Sequence, residues 1–541
     1  MTTTSTTTGA SADGGQLAIA DPPRATTRGR DAVAGIVATV AALGASELVA
    51  ALLGAQSLIA AVGSWVIDHQ PPGAKDFVVS IFGTNDKLAL EGLIFGVALL
   101  IGAGVGLVAR RSFAIALGTI VAFAAIGFLA SLSDPSVSPA SEIVVAGVGA
   151  IAGVQSLTWL MSPPRGSRAA TIGPDGRAAE MPDWSRRSFL IRSGSVAAAS
   201  IVAGVVGRRL LDSAGGTPTT GATTVPPPSE TTALPGGASL DVDGVTPIVM
   251  PNDKFYRIDT ALLTPAVDVA TWQLTVKGLV ERETTLSYAE LAELPLFEQY
   301  VTIACVSNEV GGNLVGNAKW TGVRLRDVLE IAGVQATATQ LVGRSVDGWT
   351  AGMPTAWVMD AAREPMIALK MNDELLPRVH GFPARLIVPG LYGYVSATKW
   401  LSELELTTWE AFDGYWVPLG WSKEGPILTQ SRIDVPHSGA SVPAGRVAIA
   451  GVAWAPDRGI SKVEVAIDGG SWQAAQLSTP ISRATWVQWL YAWDAASAGS
   501  GTHEIEVRAT DGGGEVQTDQ ITRPAPDGAR GHDRITVNVA G

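Results

Sequence analysis

The chain has 541 residues, 47% of them hydrophobic and 16% charged, with a mean hydropathy above zero and a net charge of −12. It is too apolar for an ordinary soluble protein of this length, and long enough for several domains. The acidic balance, with no lysine or arginine stripe in the second half, excludes nucleic acid as a partner.

Residues 1–30 are rich in Thr, Ser, Ala and Gly and read as a disordered cytoplasmic tail. Residues 31–162 read as a four-span bundle. The apolar runs 32–53, 88–109, 113–132 and 141–161 are each long enough to cross a bilayer. Segment 54–87, with Pro71 and Pro72, reads as an interfacial or re-entrant loop. Residues 163–184 form a cytoplasmic loop. Residues 185–210 carry SRRSFLI followed by a fifth apolar run, 189–207.

Lys and Arg counts set the orientation. Arg24, Arg28 and Arg30 precede the first span, Arg110 and Arg111 follow the second, and Arg165, Arg168, Arg177, Arg186 and Arg187 lie between the fourth and fifth. The opposite loops hold only Lys75 and Lys87. The expected topology is a multi-pass protein of a bacterial cell membrane in contact with lipid, with everything after residue 210 outside. SRRSFLI resembles a twin-arginine export signal, which belongs at the start of a chain. Here it reads as an internal signal for exporting an already folded domain. The five spans contain no histidine or cysteine, so no haem is expected in this chain. Glu47 and Glu91 are the charged residues well inside spans, expected to snorkel, bind a neighbouring helix or cap a packed cluster.

Residues 211–238 read as a Pro/Thr/Gly linker. Residues 239–426 mix strand-like runs (WQLTVKGLV, QYVTIACV) with helical ones (SYAELAEL, LRDVLEIAG), the pattern of an α+β domain. From 427 to 541 short alternating strands (RVAIAGVAW, ISKVEVAID, HEIEVRAT, DRITVNV) between Gly, Pro and Asp turns read as an immunoglobulin-like β-sandwich.

Cys305 is the lone cysteine, so no intrachain disulfide forms. It ends the β-branched run VTIAC and precedes a Gly/Asn-rich loop, which puts a thiol at the rim of a sheet. The residue alone admits three readings: a buried structural cysteine, a catalytic thiol, or a soft ligand to a metal whose other ligands come from a cofactor.

CVSNEVGGNLVGNAKWTGVRLRDVL together with LPRVHGFPARLIVPGLYGYVSATKWLSELEL resembles the sulfite-oxidase-type molybdenum enzymes. The resemblance runs from about residue 245 to the end and includes the sandwich, which resembles the family's dimerisation domain; a homodimer is expected through it. It implies a molybdenum–molybdopterin cofactor with Cys305 bound to the metal. It also implies cofactor contacts from Asn308, Asp347, His380, Arg385, Lys399 and Arg257, with Arg257 also near the chemistry.

The departures concern the substrate. Where sulfite oxidases carry arginines after the cysteine, this chain has Glu309-Val310. A tryptophan-bearing segment is missing between Gly311 and Ala318, and Leu369 stands where animal enzymes place a tyrosine. A carboxylate at Glu309 is expected to weaken binding of a dianion, with Arg257, Lys370 or Arg530 as the cations that would compensate. NDKFY looks more like the methionine-sulfoxide-reductase branch. The expected activity is two-electron oxygen-atom transfer, oxidising sulfite or a related sulfur compound and passing electrons to an external carrier, a cytochrome or a quinone-linked one. The alternatives are reduction of a sulfoxide or N-oxide, and a non-catalytic exported binding protein on the same fold.

Overall fold

The computed structural model describes residues 25–71, 86–135, 137–162, 184–213 and 224–541, with positions 74, 78, 81 and 82. The Thr-rich tail to residue 24, most of the loop 163–184 and residues 214–223 of the linker lie outside the described residues, as do the side chains of Ser185 and Arg186 in SRRSFLI.

The apolar runs are helical: α1 (Ala25–Leu53), α2 (Leu58–Asp68), α3 (Asp86–Ala109), α4 (Phe113–Ser131), α5 (Pro139–Met161) and α6 (Trp184–Ser213). All but α2 are long and apolar enough to cross a membrane. α1 already begins at Ala25, so residues 25–30 are helix rather than tail. That first turn has tertiary partners: the Arg30 guanidinium lies 4.8 Å from the Phe189 ring centre, and Asp31 pairs with Arg110 at 3.1 Å. α2 occupies part of the expected loop, capped by Ser57, whose hydroxyl donates to Glu47 and accepts from the Ala60 amide. Glu91 pairs with Arg208 across α3 and α6 at 2.9 Å, and Glu142 accepts from the Gln56 amide at 2.7 Å. These acids thus tie helices and their connections together.

The helices approach closely because glycines line their contacts. A Cβ on Gly35 would lie 1.9 Å from the Gly102 carbonyl oxygen, and one on Gly106 would lie 1.9 Å from that of Asp31. Such backbone proximity between small residues is the packing that holds apolar helices together. Arg28, Arg30, Arg110, Arg111 and Arg187 cluster at one end of the bundle. The other end, which carries α2 and the loop after α4, meets the rest of the chain.

The second half of the linker is not a free tether. The Ser229 amide donates to Leu296 O at 2.8 Å, the Glu298 amide to Glu230 O at 2.9 Å, and Arg324 grips Glu230 through two nitrogens at 2.7 and 3.0 Å. The α+β domain then runs β1 (Gln273–Gly278), β2 (Thr284–Ser287), α7 (Tyr288–Glu293), β3 (Leu296–Ala304), β4 (Val315–Arg324), α8 (Leu325–Ala332), β5 (Gln340–Ser345), β6 (Thr350–Pro354), β7 (Met366–Met371), β8 (Glu374–Leu375), β9 (Arg385–Ile387) and β10 (Leu401–Thr407). One sheet has the order β2-β1-β10-β5-β6, with β1 and β10 parallel; the other is β3-β4-β7-β8, with β9 on β7. Capping boxes and apolar spacing make the short helices: Ser287 and Glu290 cap α7 reciprocally, and α8 buries Leu325, Val328, Leu329 and Ala332.

The C-terminal unit is the expected two-sheet sandwich. A four-stranded sheet, β11 (Gln430–Val435), β13 (Arg446–Trp454), β17 (Val487–Asp494) and β16 (Gln476–Leu477), faces a five-stranded one. The latter is ordered β12 (Ser441–Val442), β19 (Asp533–Val539), β18 (Gly501–Asp511), β14 (Ile460–Ile467) and β15 (Gln473–Ala474). Strict alternation along β19 places Ile535, Val537 and Val539 in the core and their neighbours in solvent. The sandwich also packs on the α+β domain: Trp454 and Trp486 share a buried cluster with Ala304, Val306, Trp416 and Trp421.

Replacing Gly106 with valine, against the Asp31 backbone, should cost about 2 kcal/mol or more by overpacking. Gly104, which has no atom within 4 Å of an added Cβ, should accept valine without loss. Thermal unfolding of the purified chain in detergent checks this; equal melting temperatures for the two variants would contradict the packing described.

Candidate active site

β3 and β4 carry the centre of the site. β3 is buried along nearly its whole length, because one face packs on the domain core and the other on the sandwich. The Thr302 amide donates to Ala484 O at 2.9 Å, and the Trp486 amide donates to the Thr302 hydroxyl at 2.8 Å. Cys305 follows directly, 9% exposed, its amide bonded to Leu314 O at 2.9 Å.

The loop between β3 and β4 is pinned from both sides. Asn308 accepts from the Leu314 amide at 2.7 Å, and Arg432 of the sandwich donates to Gly312 O at 2.8 Å. Gly311 has φ +72° and stands so close to Asp533 that a Cβ would lie 2.6 Å from its carboxylate, so the sandwich shapes this loop directly.

Cys305 faces a cavity that it shares with Tyr256, Asp259, Asp347, Trp349, Arg385, Tyr394, Lys399, Trp416 and Trp421. Arg385 starts β9. It donates to His380 O at 3.0 Å, lies 5.1 Å from the Trp320 ring centre, and keeps its buried Nε without a partner. Burial lowers its pKa to about 10 and that of Lys399 to about 8; for Lys399 the Asp259 carboxylate works the other way. Lys399 donates to Val379 O and to Asp259, both at 3.0 Å. Asp259 is nearly inaccessible. Burial alone would raise its pKa, but Lys399, Lys87 and Arg257 hold it well below the ordinary carboxylate range. Burial drives Asp347 the other way, upward. Tyr256 is pushed well above the usual phenol range by burial and by the nearby Cys305, so it stays a neutral donor.

The expected site residues divide. Cys305, Asp347, Arg385 and Lys399 meet in the cavity wall. Asn308 does not line it: its side chain is spent closing the Cys305 loop. His380 does not line it either. Its Nε2 lies 2.9 Å from Asn252 O and its ring sits edge-on to Phe255, while its carbonyl oxygen receives Arg385, so it positions the arginine through the backbone. Arg257 sits beside the cavity, 40% exposed, bonded to Asp259 at 3.1 Å and to the Thr264 hydroxyl at 3.0 Å. Glu309 is exposed and away from the wall, so its carboxylate does not oppose an anion there. Lys370 and Arg530 do not reach it; Arg530 pairs with Asp527 at 3.1 Å. Leu369 is fully buried in the domain core. Tyr256, Trp349, Tyr394 and Trp421 were not singled out in the sequence. Aromatic residues carry no spacing rule that marks a pocket wall, although Tyr256 and Trp349 stand beside Arg257 and Asp347 and Tyr394 lies inside the HGFPAR–KW motif.

Among the described residues no group of His, Cys, Asp or Glu could hold a metal by itself. A metal at Cys305 would need further ligands from a cofactor, and the buried, partly unpaired cations suit one that carries phosphate.

Comparison with known proteins agrees. A family profile described as "Oxidoreductase molybdopterin binding domain" matches residues 261–416, and a "Bacterial Ig domain" profile matches 430–507. Human mitochondrial sulfite oxidase is 31% identical over 319 residues, covering 50% of this chain and 58% of that protein. This chain therefore spans little more than half of that relative. The uncharacterized oxidoreductase YuiH of Bacillus subtilis is 34% identical over 165 residues, 30% of this chain and 79% of that protein. Among solved structures, the sulfane dehydrogenase SoxCD of Paracoccus pantotrophus matches 56% of this chain and 85% of that one, at 21% identity and a TM-score of 0.47.

Burial, followed by the cations Lys399, Arg385 and Arg257, lowers the His380 pKa to about 4 from the ordinary 6.5. Between these values the unfolded chain binds a proton that the folded chain does not, so stability rises with pH across the window and is lost on acidification. The loss from pH 6.5 to 4 should reach about 3 kcal/mol at most. His380→Gln should flatten that part of the profile; an unchanged pH dependence of unfolding would contradict a neutral, buried His380.

Proposed function

The chain belongs to the sulfite-oxidase-type family of molybdopterin-dependent oxidoreductases, and from that membership we propose that it is a membrane-anchored enzyme oxidising sulfite or a related sulfur compound. The observation that carries the substrate class is the charge of the cavity. Arg385 and Lys399 are buried in its wall, and its acid of low pKa, Asp259, is already satisfied by three cations. An anion entering such a pocket meets desolvated, preorganised donors.

When bound, the molybdenum cofactor supplies two-electron oxygen-atom transfer; the protein holds and surrounds it. Cys305 presents its sulfur to the metal from a loop fixed on both sides. Arg385, with a free Nε, and Lys399 take the cofactor phosphate or the oxyanion. Tyr256, as a neutral phenol beside Cys305, donates a hydrogen bond to an oxygen of the substrate. The tryptophans of the wall exclude water. Electrons leave to an external carrier.

The reverse reaction, reduction of a neutral sulfoxide, is the second reading; it is favoured by the aromatic wall of Trp349, Trp416 and Trp421. The five apolar helices support anchoring, and the clustering of basic residues at the bundle end opposite the catalytic domain supports an extracytoplasmic active site. A folded, cofactor-loaded domain cannot be threaded unfolded, which gives SRRSFLI its use.

Purified chain should contain about one molybdenum per molecule. Stopped-flow mixing should show reduction by sulfite far faster than reoxidation by methionine sulfoxide; the opposite order selects the reductase. Cys305→Ser should drop turnover to background without unfolding the domain, and retained turnover would remove the thiol from the chemistry.

The paired change Arg186→Lys with Arg187→Lys keeps the charge. It should leave the first four spans inserted but strand the catalytic domain on the cytoplasmic side, as read by protease accessibility in cells. Normal crossing would refute the export reading.

A further inference from the structure

Lys87 lies in the first turn of α3, at the end of the bundle that meets the catalytic domain. Its ammonium donates to Asp259 Oδ1 at 2.6 Å and to Ala261 O at 2.7 Å. The other oxygen of the same carboxylate takes Lys399 at 3.0 Å and Arg257 at 3.1 Å. Asp259 and Lys399 both line the catalytic cavity, whereas Lys87 reaches it only through Asp259.

The contact is built rather than incidental. Tyr415 donates to Asp68 of α2 at 2.8 Å on the same rim. Leu262 packs so tightly on Gly63 of α2 that an added Cβ there would lie 2.4 Å from it. Pro135, after α4, lies against Gly348, next to Asp347 of the wall. The bundle is seated on the domain at several points near the cavity, and Lys87 is the cation among these contacts.

We propose that the membrane bundle is a working part of the catalytic site: Lys87 shares the Asp259 carboxylate with Lys399 and Arg257 and so leaves more of the charge of Lys399 to an anionic ligand. Without Lys87, one buried carboxylate would be shared between Lys399 and Arg257 alone, and the cavity would lose a unit of positive charge. Lys87 is a positioning residue, and the effect falls on anion affinity rather than on the chemical step. The inference rests on the oxyanion reading above.

The test uses the purified full chain with inorganic sulfate as the probe in titration calorimetry, alongside sulfite kinetics. Lys87→Gln should weaken sulfate binding and raise the sulfite KM by roughly three- to tenfold, the scale of one nearby charge in a partly screened site. Its kcat and molybdenum content should stay at the wild-type level. Lys87→Arg, which keeps the charge, should restore the affinity. Tyr415→Phe, which removes a different rim contact and no charge, should leave it unchanged. Wild-type sulfate affinity in Lys87→Gln overturns the inference, as does an Arg variant no better than the Gln variant, or an equal loss in Tyr415→Phe. Charge-dependent sulfate binding in a chain that never turns over sulfite would instead overturn the proposed reaction and leave this inference standing.

Discussion

Asp259 is a buried carboxylate answered by cations from separate parts of the chain: Lys87 from the bundle, Arg257 two residues before it, and Lys399 after the HGFPAR turn. Burying one carboxylate costs several kcal/mol unless cations and hydrogen bonds surround it, and removing a partner leaves the remainder of the cost exposed. Much of the architecture is arranged around that condition. The bundle must dock with Lys87 in reach, the 377–385 turn must hold Lys399 and Arg385, and the segment 255–265 must run between them. Where the condition is met, the cavity is left with positive charge to spare.

The thiol side of the site depends on the sandwich. Cys305 sits at the end of a strand whose outer face is covered by Trp486, and its loop is gripped by Arg432 and crowded by Asp533. A strand so covered buries even its polar Thr302, whose hydroxyl accepts from the Trp486 amide. The immunoglobulin-like domain is therefore a structural wall of the α+β domain, with shared core rather than a tethered neighbour. The bundle reaches the site through Lys87 on Asp259, and the sandwich grips the Cys305 loop through Arg432.

The parts legible in the sequence are those with local signals. Bilayer-length apolar runs predicted the long helices, and period-two alternation in β18 and β19 predicted the sandwich. Cys305, Arg385 and Lys399 were legible because the motif around each has a specific shape. Contacts that span the chain were not: Lys87 and Asp259 are 172 residues apart, and no periodicity links them. Asn308 and His380 show a second limit. Their residue types suit ligands, but their neighbours in space, the Leu314 amide and the Asn252 carbonyl, claim them first. Glu309 shows a third, since the sequence position next to a cysteine does not say which way a loop residue points. The linker misled by composition: a Pro/Thr stretch cannot build a core of its own, yet its backbone pairs with the edge of β3.

Cys305, in the wall of a cationic cavity on a loop pinned from both sides, is the residue we propose as the protein's ligand to molybdenum. X-ray absorption at the molybdenum edge of the purified chain tests this most directly. The sulfur neighbours of the metal should fall by one in Cys305→Ser, with the cofactor's own sulfurs retained. An unchanged sulfur count in that variant would contradict it.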